Sequence, residues 1–145
     1  MNIPLFLIPI ICGIVAQGLK PLLNRNLKST LEVAGYKLPR YGGMPSAHTA
    51  FAFSLATLAG VTEGWGSTAF AITVAITIFI MDDALRLRIF LGRHGQAISR
   101  LVKLLPEEKR GLFEPLEQRL GHHPSEVVAG AVLGIALSGF LLWIM

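Results

Sequence analysis

Residues 127–145 read VVAGAVLGIALSGFLLWIM, nineteen positions without a charged side chain. A bilayer core about 30 Å thick needs about 20 mostly apolar residues in a helix that rises about 1.5 Å per residue. This stretch therefore predicts a membrane-spanning helix. Three other apolar stretches lie upstream of it, and together they predict four spans at about 3–19, 47–61, 65–81 and 127–145.

The overall composition agrees with a membrane protein. Of the 145 residues, 52% are hydrophobic and only 15% are charged, against about 25% charged in soluble domains. Such hydrophobicity excludes a disordered chain. The net charge of +4 would allow nucleic-acid binding, but the high hydrophobicity favours a membrane protein instead. The lone cysteine, Cys12, excludes an intrachain disulfide and a cysteine-rich metal site. We expect one all-α, membrane-embedded domain over residues 1–145.

The basic residues predict how the chain lies in the membrane. Four spans leave two long loops, about 20–46 and 82–126, on one side, and these loops hold all 13 Lys and Arg residues. The positive-inside rule then predicts a multi-pass protein of the bacterial inner membrane, with both long loops in the cytoplasm and both termini outside. The first stretch lacks a basic start and a clear cleavage site, so we expect a retained span rather than a signal peptide.

A further helix is expected inside the second loop. Its apolar positions, at helical spacing between residues 97 and 105, predict an amphipathic helix in the cytoplasmic interface that Pro106 ends. In the last span, Gly130 and Gly134 have a spacing that suits close helix packing, either within the chain or between two chains.

Polar residues gather at the predicted cytoplasmic ends of the spans, where ionisable groups are a functional hypothesis by default. Ser46 and His48 open the second span, and His122 precedes the fourth. Helix N-termini bind phosphate because their N–H groups are unsatisfied and carry partial positive charge. Glu126, four residues after His122, is expected to accept its ring N–H and raise its nucleophilicity.

The neighbouring charges suit the same chemistry. Lys20 and Arg88 offer positive donors for a phosphoryl group, and Asp83 is expected to hold the Arg88 guanidinium in place. Each residue also has a purely structural interpretation. Lys20 would be a snorkelling anchor, Ser46 a helix cap and Arg88 a topology charge. Metal-dependent phosphotransfer through Asp82 and Asp83 is a weaker alternative, because a bare pair of adjacent acids lacks recognisable metal-binding spacing. No metal or other cofactor is expected.

These blocks resemble those of a known family. The matching positions are GGMPSAH at 42–48, Asp83-Ala84 with Arg88 and Gly92, and Gly121-His122-x-Pro124 followed by Glu126-Val127 and Gly130. They resemble the divergent PAP2 family, small membrane proteins related to type 2 phosphatidic acid phosphatases and vanadium haloperoxidases. The resemblance extends from Gln17 to Gly134 and implies a PAP2-like helical bundle.

The resemblance also implies roles for individual residues. His122 would be the nucleophile, His48 the acid and Glu126 the carboxylate that orients His122. Phosphate would be bound by Lys20, Gly43, Ser46 and Arg88, with Asp83 in support. Leu116 stands where the wider superfamily has an arginine, and Arg88 is expected to replace that arginine from another loop.

Two hypotheses of different classes follow. The first is a metal-independent phosphatase that hydrolyses a lipid phosphate monoester, such as phosphatidic acid, phosphatidylglycerophosphate or a polyprenyl phosphate, through a phosphohistidine. The rival is a non-catalytic membrane protein that binds anionic lipids or assists a membrane complex. In both, the expected partners are membrane lipids and not nucleic acid, and the transmembrane helices would suit a homodimer.

Overall fold

The computed structural model describes residues 4–23, 30–33, 36–39, 43–110, 112 and 123–145. Its elements in chain order are α1 (Leu7–Leu23), β1 (Thr30–Val33), β2 (Tyr36–Pro39), α2 (Ala47–Glu63), α3 (Thr68–Asp82), a π-helical segment (Asp83–Leu87), α4 (Arg88–Lys103), α5 (Glu107–Arg110) and α6 (Pro124–Ile144). The predicted helical fold class is confirmed. The sequence did not predict the two strands, which form a short antiparallel pair in the first loop with Val33 opposite Tyr36.

Helix α2 lies at the centre and packs against α1, α3 and α6. It runs antiparallel to α1, since Ile8 near the start of α1 clusters with Leu58 near the end of α2. It is also antiparallel to α3, because the hydroxyl of Thr77 lies 3.1 Å from the carbonyl oxygen of Ala52. The N-terminus of α2 therefore lies at the same end of the bundle as the C-termini of α1 and α3.

Helices α2 and α6 are parallel and approach each other through small residues. A Cβ on Gly130 would collide with the backbone of Ser46, and a Cβ on Gly134 would collide with the backbone of Ala50. One turn further on, the buried hydroxyls of Ser54 and Ser138 lie 2.5 Å apart. The spacing of Gly130 and Gly134 thus serves packing within the chain.

The third helix continues beyond the predicted span. The sequence indicates an end near Asp82, but the helix continues through the π-helical segment and α4 to Lys103, 36 residues in all. Within this continuing helix Arg86, one turn after Asp82, pairs with it, Nη2 lying 3.0 Å from Oδ2. The predicted amphipathic helix at 97–105 is therefore the second half of α4, which begins at Arg88 and ends before Pro106.

Two helices of the described residues are long and apolar enough to cross a membrane, Thr68–Lys103 and Pro124–Ile144. Helix α1 is apolar but has 17 residues. Helix α2 also has 17 residues, and many of its side chains are buried by its three neighbours. Crossing of the membrane by all four helices stays a prediction.

Candidate functional site

The N-terminus of α2 is built by a tight turn and a buried cap. Gly43 is buried and has a φ of 89°, a conformation that favours glycine. Ser46 is fully buried, and its Oγ accepts from the Thr49 backbone N at 3.4 Å and from Thr49 Oγ1 at 3.0 Å. The Ser46 hydroxyl is the acceptor in both bonds, so neither of them uses its own proton.

The N-terminus of α6 is capped by His123, not by His122. Glu126 Oε2 accepts from the His123 backbone N at 3.2 Å, which is one half of a capping box. The His123 ring Nδ1 lies 3.0 Å from Ser125 Oγ. His122 lies outside the described residues, so its orientation by Glu126 stays a prediction.

These two helix N-termini meet directly. The backbone N–H of Ser46 donates to the carbonyl oxygen of Glu126 at 2.9 Å, and the close approach at Gly130 holds the helices together there. His48, in the first turn of α2, is exposed beside this contact. Because α2 and α6 are parallel, their dipoles place partial positive charge side by side, and a bound anion would relieve that repulsion. We call this contact the N-terminal junction.

Lys20 lies at the same end of the bundle. Gly13 of α1 faces the start of α2, where a Cβ on it would lie 3.7 Å from the Cβ of Phe51. Lys20 is seven residues further along α1, about 10 Å at the helical rise. Because α1 and α2 are antiparallel, the half-buried Lys20 lies beyond the start of α2, at the end of the bundle that holds the N-terminal junction.

Asp83 also reaches the level of the junction. Thr77 contacts Ala52 across the antiparallel pair, and six residues from each of these lead to Asp83 on one helix and Ser46 on the other. Asp83 is half-buried and begins the π-helical segment. In a π-helix the backbone hydrogen bonds join residues i and i+5, which places Asp83 and Arg88 on one side of this helix. The Arg88 side chain lies outside the described atoms.

The structure thus places the predicted site residues that it describes at one end of the bundle. Ser46 and Glu126 are in contact there, Gly43 and His48 lie within three residues of Ser46 in the chain, and Lys20 and Asp83 lie on helices that reach the same end. For each of these residues, binding of phosphate stays a prediction.

Sequence reasoning missed two residues at the junction. Thr49 is fully buried and donates to the cap through both its backbone and its hydroxyl. Its position three residues after a serine was the available signal. His123 was missed as a cap, although a glutamate three residues later is the ordinary pattern of a capping box.

Comparison with known proteins confirms the predicted family. A family model described as the divergent PAP2 family matches residues 1–137. A protein of Bacillus subtilis (strain 168), described as "Uncharacterized membrane protein YuiD", is 32% identical over 111 residues, which cover 67% of this chain and 68% of the relative. No solved structure matches. With nearly its whole length matched, the chain belongs to the divergent PAP2 family of membrane proteins.

Proposed function

We propose that the N-terminal junction binds the phosphate group of a membrane lipid and hydrolyses its phosphate monoester. The observation that carries this proposal is the direct contact of two parallel helix N-termini, joined by the bond from Ser46 N to Glu126 O. Two such termini offer an anion more partial positive charge than one. His48 stands in the first turn of one helix, and His122 immediately precedes the cap of the other.

The reaction follows from two histidines on different helices. A ring nitrogen of His122 attacks phosphorus, and the bond from phosphorus to the lipid alcohol oxygen breaks as His48 gives that oxygen a proton. Water then attacks the phosphohistidine while His48 takes its proton, and the P–N bond breaks to release phosphate and free His122. Lys20 and Arg88 stabilise the charge on the other phosphate oxygens. The residues in these roles require no metal or cofactor.

The site faces the cytoplasm in this proposal, because both basic loops adjoin it and both termini lie on the opposite side. Cysteines placed at Lys28 and Lys109, in a Cys12→Ser background, should be protected from an impermeant reagent in intact cells. Labelling of either one from outside would reverse the orientation of the site.

A second candidate is a non-catalytic protein that binds anionic lipids. The helix caps favour this candidate. Ser46 bonds to Thr49 and Glu126 bonds to the His123 backbone, so capping alone accounts for the positions of both residues. Two parallel helix N-termini would hold a lipid phosphate in the same way in a protein that does not turn it over.

Release of phosphate from purified protein separates the two functions. The protein in detergent is given phosphatidic acid, phosphatidylglycerophosphate and a polyprenyl phosphate. His48→Ala should lower turnover by about 10²–10⁴-fold, the usual contribution of general acid–base catalysis, and His122→Ala should abolish it. The matched control is His94→Ala, because His94 is an exposed residue of α4 that has no proposed role. Saturable binding of these lipids without phosphate release would instead establish the second candidate.

A further inference from the structure

We propose that a groove between α2, α3 and α6 binds one hydrocarbon chain of the lipid held at the N-terminal junction, and that Trp65 limits the length of that chain. This inference rests on the proposed function, since it assumes that the phosphate of the same lipid lies at the junction. The groove encloses about 340 Å³, within the range of about 300–1,000 Å³ that is usual for ligand pockets.

The surface that faces the groove is almost entirely apolar. Its two hydroxyl groups belong to Thr57 and Thr77. Thr57 Oγ1 donates to the Phe53 carbonyl at 2.8 Å, and the proton of Thr77 Oγ1 is shared between the carbonyls of Ala52 and Thr73. Both threonines therefore present methyl groups, as do the aliphatic side chains around them. A polar occupant would lose its hydrogen bonds to water without replacement, so the groove selects hydrocarbon.

The walls also distinguish a lipid chain from a helix of a second copy. Helices in membranes pack through small residues that let their backbones approach. Of the ten residues that line the groove, three are small (Ala56, Thr57 and Thr77) and seven are larger, including two aromatic rings besides Trp65. Its mouth lies between Ile78 and Ile135, which are 61% and 47% exposed. This mouth opens on helices apolar enough to lie within the bilayer, where lipid chains are the surrounding solvent.

The groove leads away from the N-terminal junction. Phe53 is seven residues after Ser46 along α2, about 10 Å deeper into the bundle. On α3 the lining runs from Met81, next to the acidic pair, to Phe70, which is about 16 Å at the helical rise. A lipid whose phosphate binds at the junction can therefore extend its chain along the groove.

Trp65 lies at the far end of the groove, where its side chain is 63% exposed. Gly60 lets the indole ring lie against α2 there, because a Cβ on Gly60 would be 2.5 Å from carbons of the ring. Phe70 meets the ring edge to face, with centroids 5.1 Å apart. Trp65 is also suited to the membrane interface, where tryptophan is common. A tryptophan that only anchored the protein at the interface would not determine which lengths of hydrocarbon chain bind.

Fluorescence of Trp65 tests whether a chain enters the groove. The Trp143→Phe variant keeps Trp65 as the one tryptophan of the chain. In detergent, phosphatidic acid with bromine near the ends of its chains should quench Trp65 saturably, and unbrominated phosphatidic acid should reverse the quenching. Quenching that rises without saturation, as from lipid dissolved in the micelle, would overturn the proposal.

Variants that fill the groove give the matched comparison. Val74→Phe, on the α3 wall, should weaken the saturable quenching about tenfold or more. Ile72→Phe should leave it unchanged, because Ile72 is 55% exposed on the same helix and does not line the groove. Ile135→Phe, at the mouth, is a second blocking variant should Val74→Phe fail to fold. If either folded blocking variant turned a dimer into a monomer, a second copy would occupy the groove and the proposal would fail.

The same experiment keeps this inference separate from the proposed function. If brominated diacylglycerol, which has no phosphate, quenched Trp65 as tightly as brominated phosphatidic acid, the groove would stand while the phosphate site failed. If phosphatidic acid were hydrolysed with no saturable quenching, and Val74→Phe hydrolysed it normally, the groove would fail while the proposed function stood.

Chain length tests the role of Trp65. By native mass spectrometry of a mixture of phosphatidic acids, Trp65→Ala should shift the preference about tenfold towards the longer chains. Trp143→Ala, at the end of α6, should keep the wild-type preference. An unchanged preference in Trp65→Ala would leave Trp65 as an interfacial residue and reject its role as a limit.

Discussion

The two sides of α2 are built in opposite ways. On the side of α6, Gly130 and Gly134 bring the backbones together, and buried serine hydroxyls meet across the contact. On the side of α3, large side chains hold the helices around a groove, and one threonine hydroxyl crosses to the Ala52 carbonyl. Close backbone contact leaves no room for adjustment, whereas side chains around a groove can move.

This difference matches the needs of a lipid phosphate site. The close contact fixes two helix N-termini relative to each other, and a phosphate group needs its donors at set positions. The looser contact between α2 and α3 suits the hydrocarbon chains of a lipid, which vary in length, because such chains need space and no directed bonds. Substitutions on the two sides should therefore differ in size and in kind.

The largest effect is expected from Gly134→Val. The added side chain would collide with the backbone of Ala50, which cannot rotate away as a side chain can. Overpacking costs about 1–3 kcal/mol and occasionally more, and we expect at least the upper end here. Thermal unfolding in detergent measures the loss. Gly139→Val is the control, since a Cβ on Gly139 meets nothing within 4 Å. Equal unfolding of the two variants would mean that α2 and α6 are not in close contact.

Arg88→Lys tests what the α3 side contributes to the chemistry. A guanidinium can bind two phosphate oxygens at once, and an ammonium cannot reproduce that geometry. Turnover of a lipid phosphate should therefore fall almost as far in Arg88→Lys as in Arg88→Ala. Wild-type turnover in Arg88→Lys would assign Arg88 to membrane topology, for which lysine is an adequate substitute.

A smaller difference in stability is expected between variants of the two serines that cap helices. Ser46 caps α2 and Ser67 caps α3, where its Oγ accepts from the Phe70 backbone N at 3.1 Å. Ser67→Ala should cost about 1 kcal/mol as a lost cap. Ser46→Ala should cost about 1–3 kcal/mol, because it also leaves the buried Thr49 hydroxyl without this acceptor.

Lipid binding adds a second readout to the same pair. Ser46→Ala should weaken binding of phosphatidic acid, and Ser67→Ala, at the opposite end of the bundle, should not. Equal binding by both variants would make Ser46 a cap alone.

The sequence predicted the parts of the molecule that depend on composition and local pattern. Apolar stretches predicted the helices, and the Ser46 and Glu126 blocks predicted two helix starts with polar groups beside them. It did not predict that the helix runs on past Asp82, where α3 ends, through the π-helical segment and α4 to Lys103. The groove was not predictable, because it arises from how far apart α3 and α6 lie on α2 and not from any one segment.

The smallest effect is expected at Thr77, the polar link between α2 and α3. Thr77→Val keeps the shape of the side chain and removes its bond to Ala52. Hydrogen bonds between membrane helices are worth about 0.6 kcal/mol on average, so unfolding should change by about that amount. Thr73→Val is the control, because the Thr73 hydroxyl bonds within α3, to the Phe70 carbonyl at 2.8 Å. Since Thr77 already presents its methyl group to the groove, Thr77→Val should retain saturable quenching of Trp65 by the brominated lipid. Loss of that quenching in a folded Thr77→Val protein would mean that the hydroxyl, and not the hydrocarbon surface, governs what enters the groove.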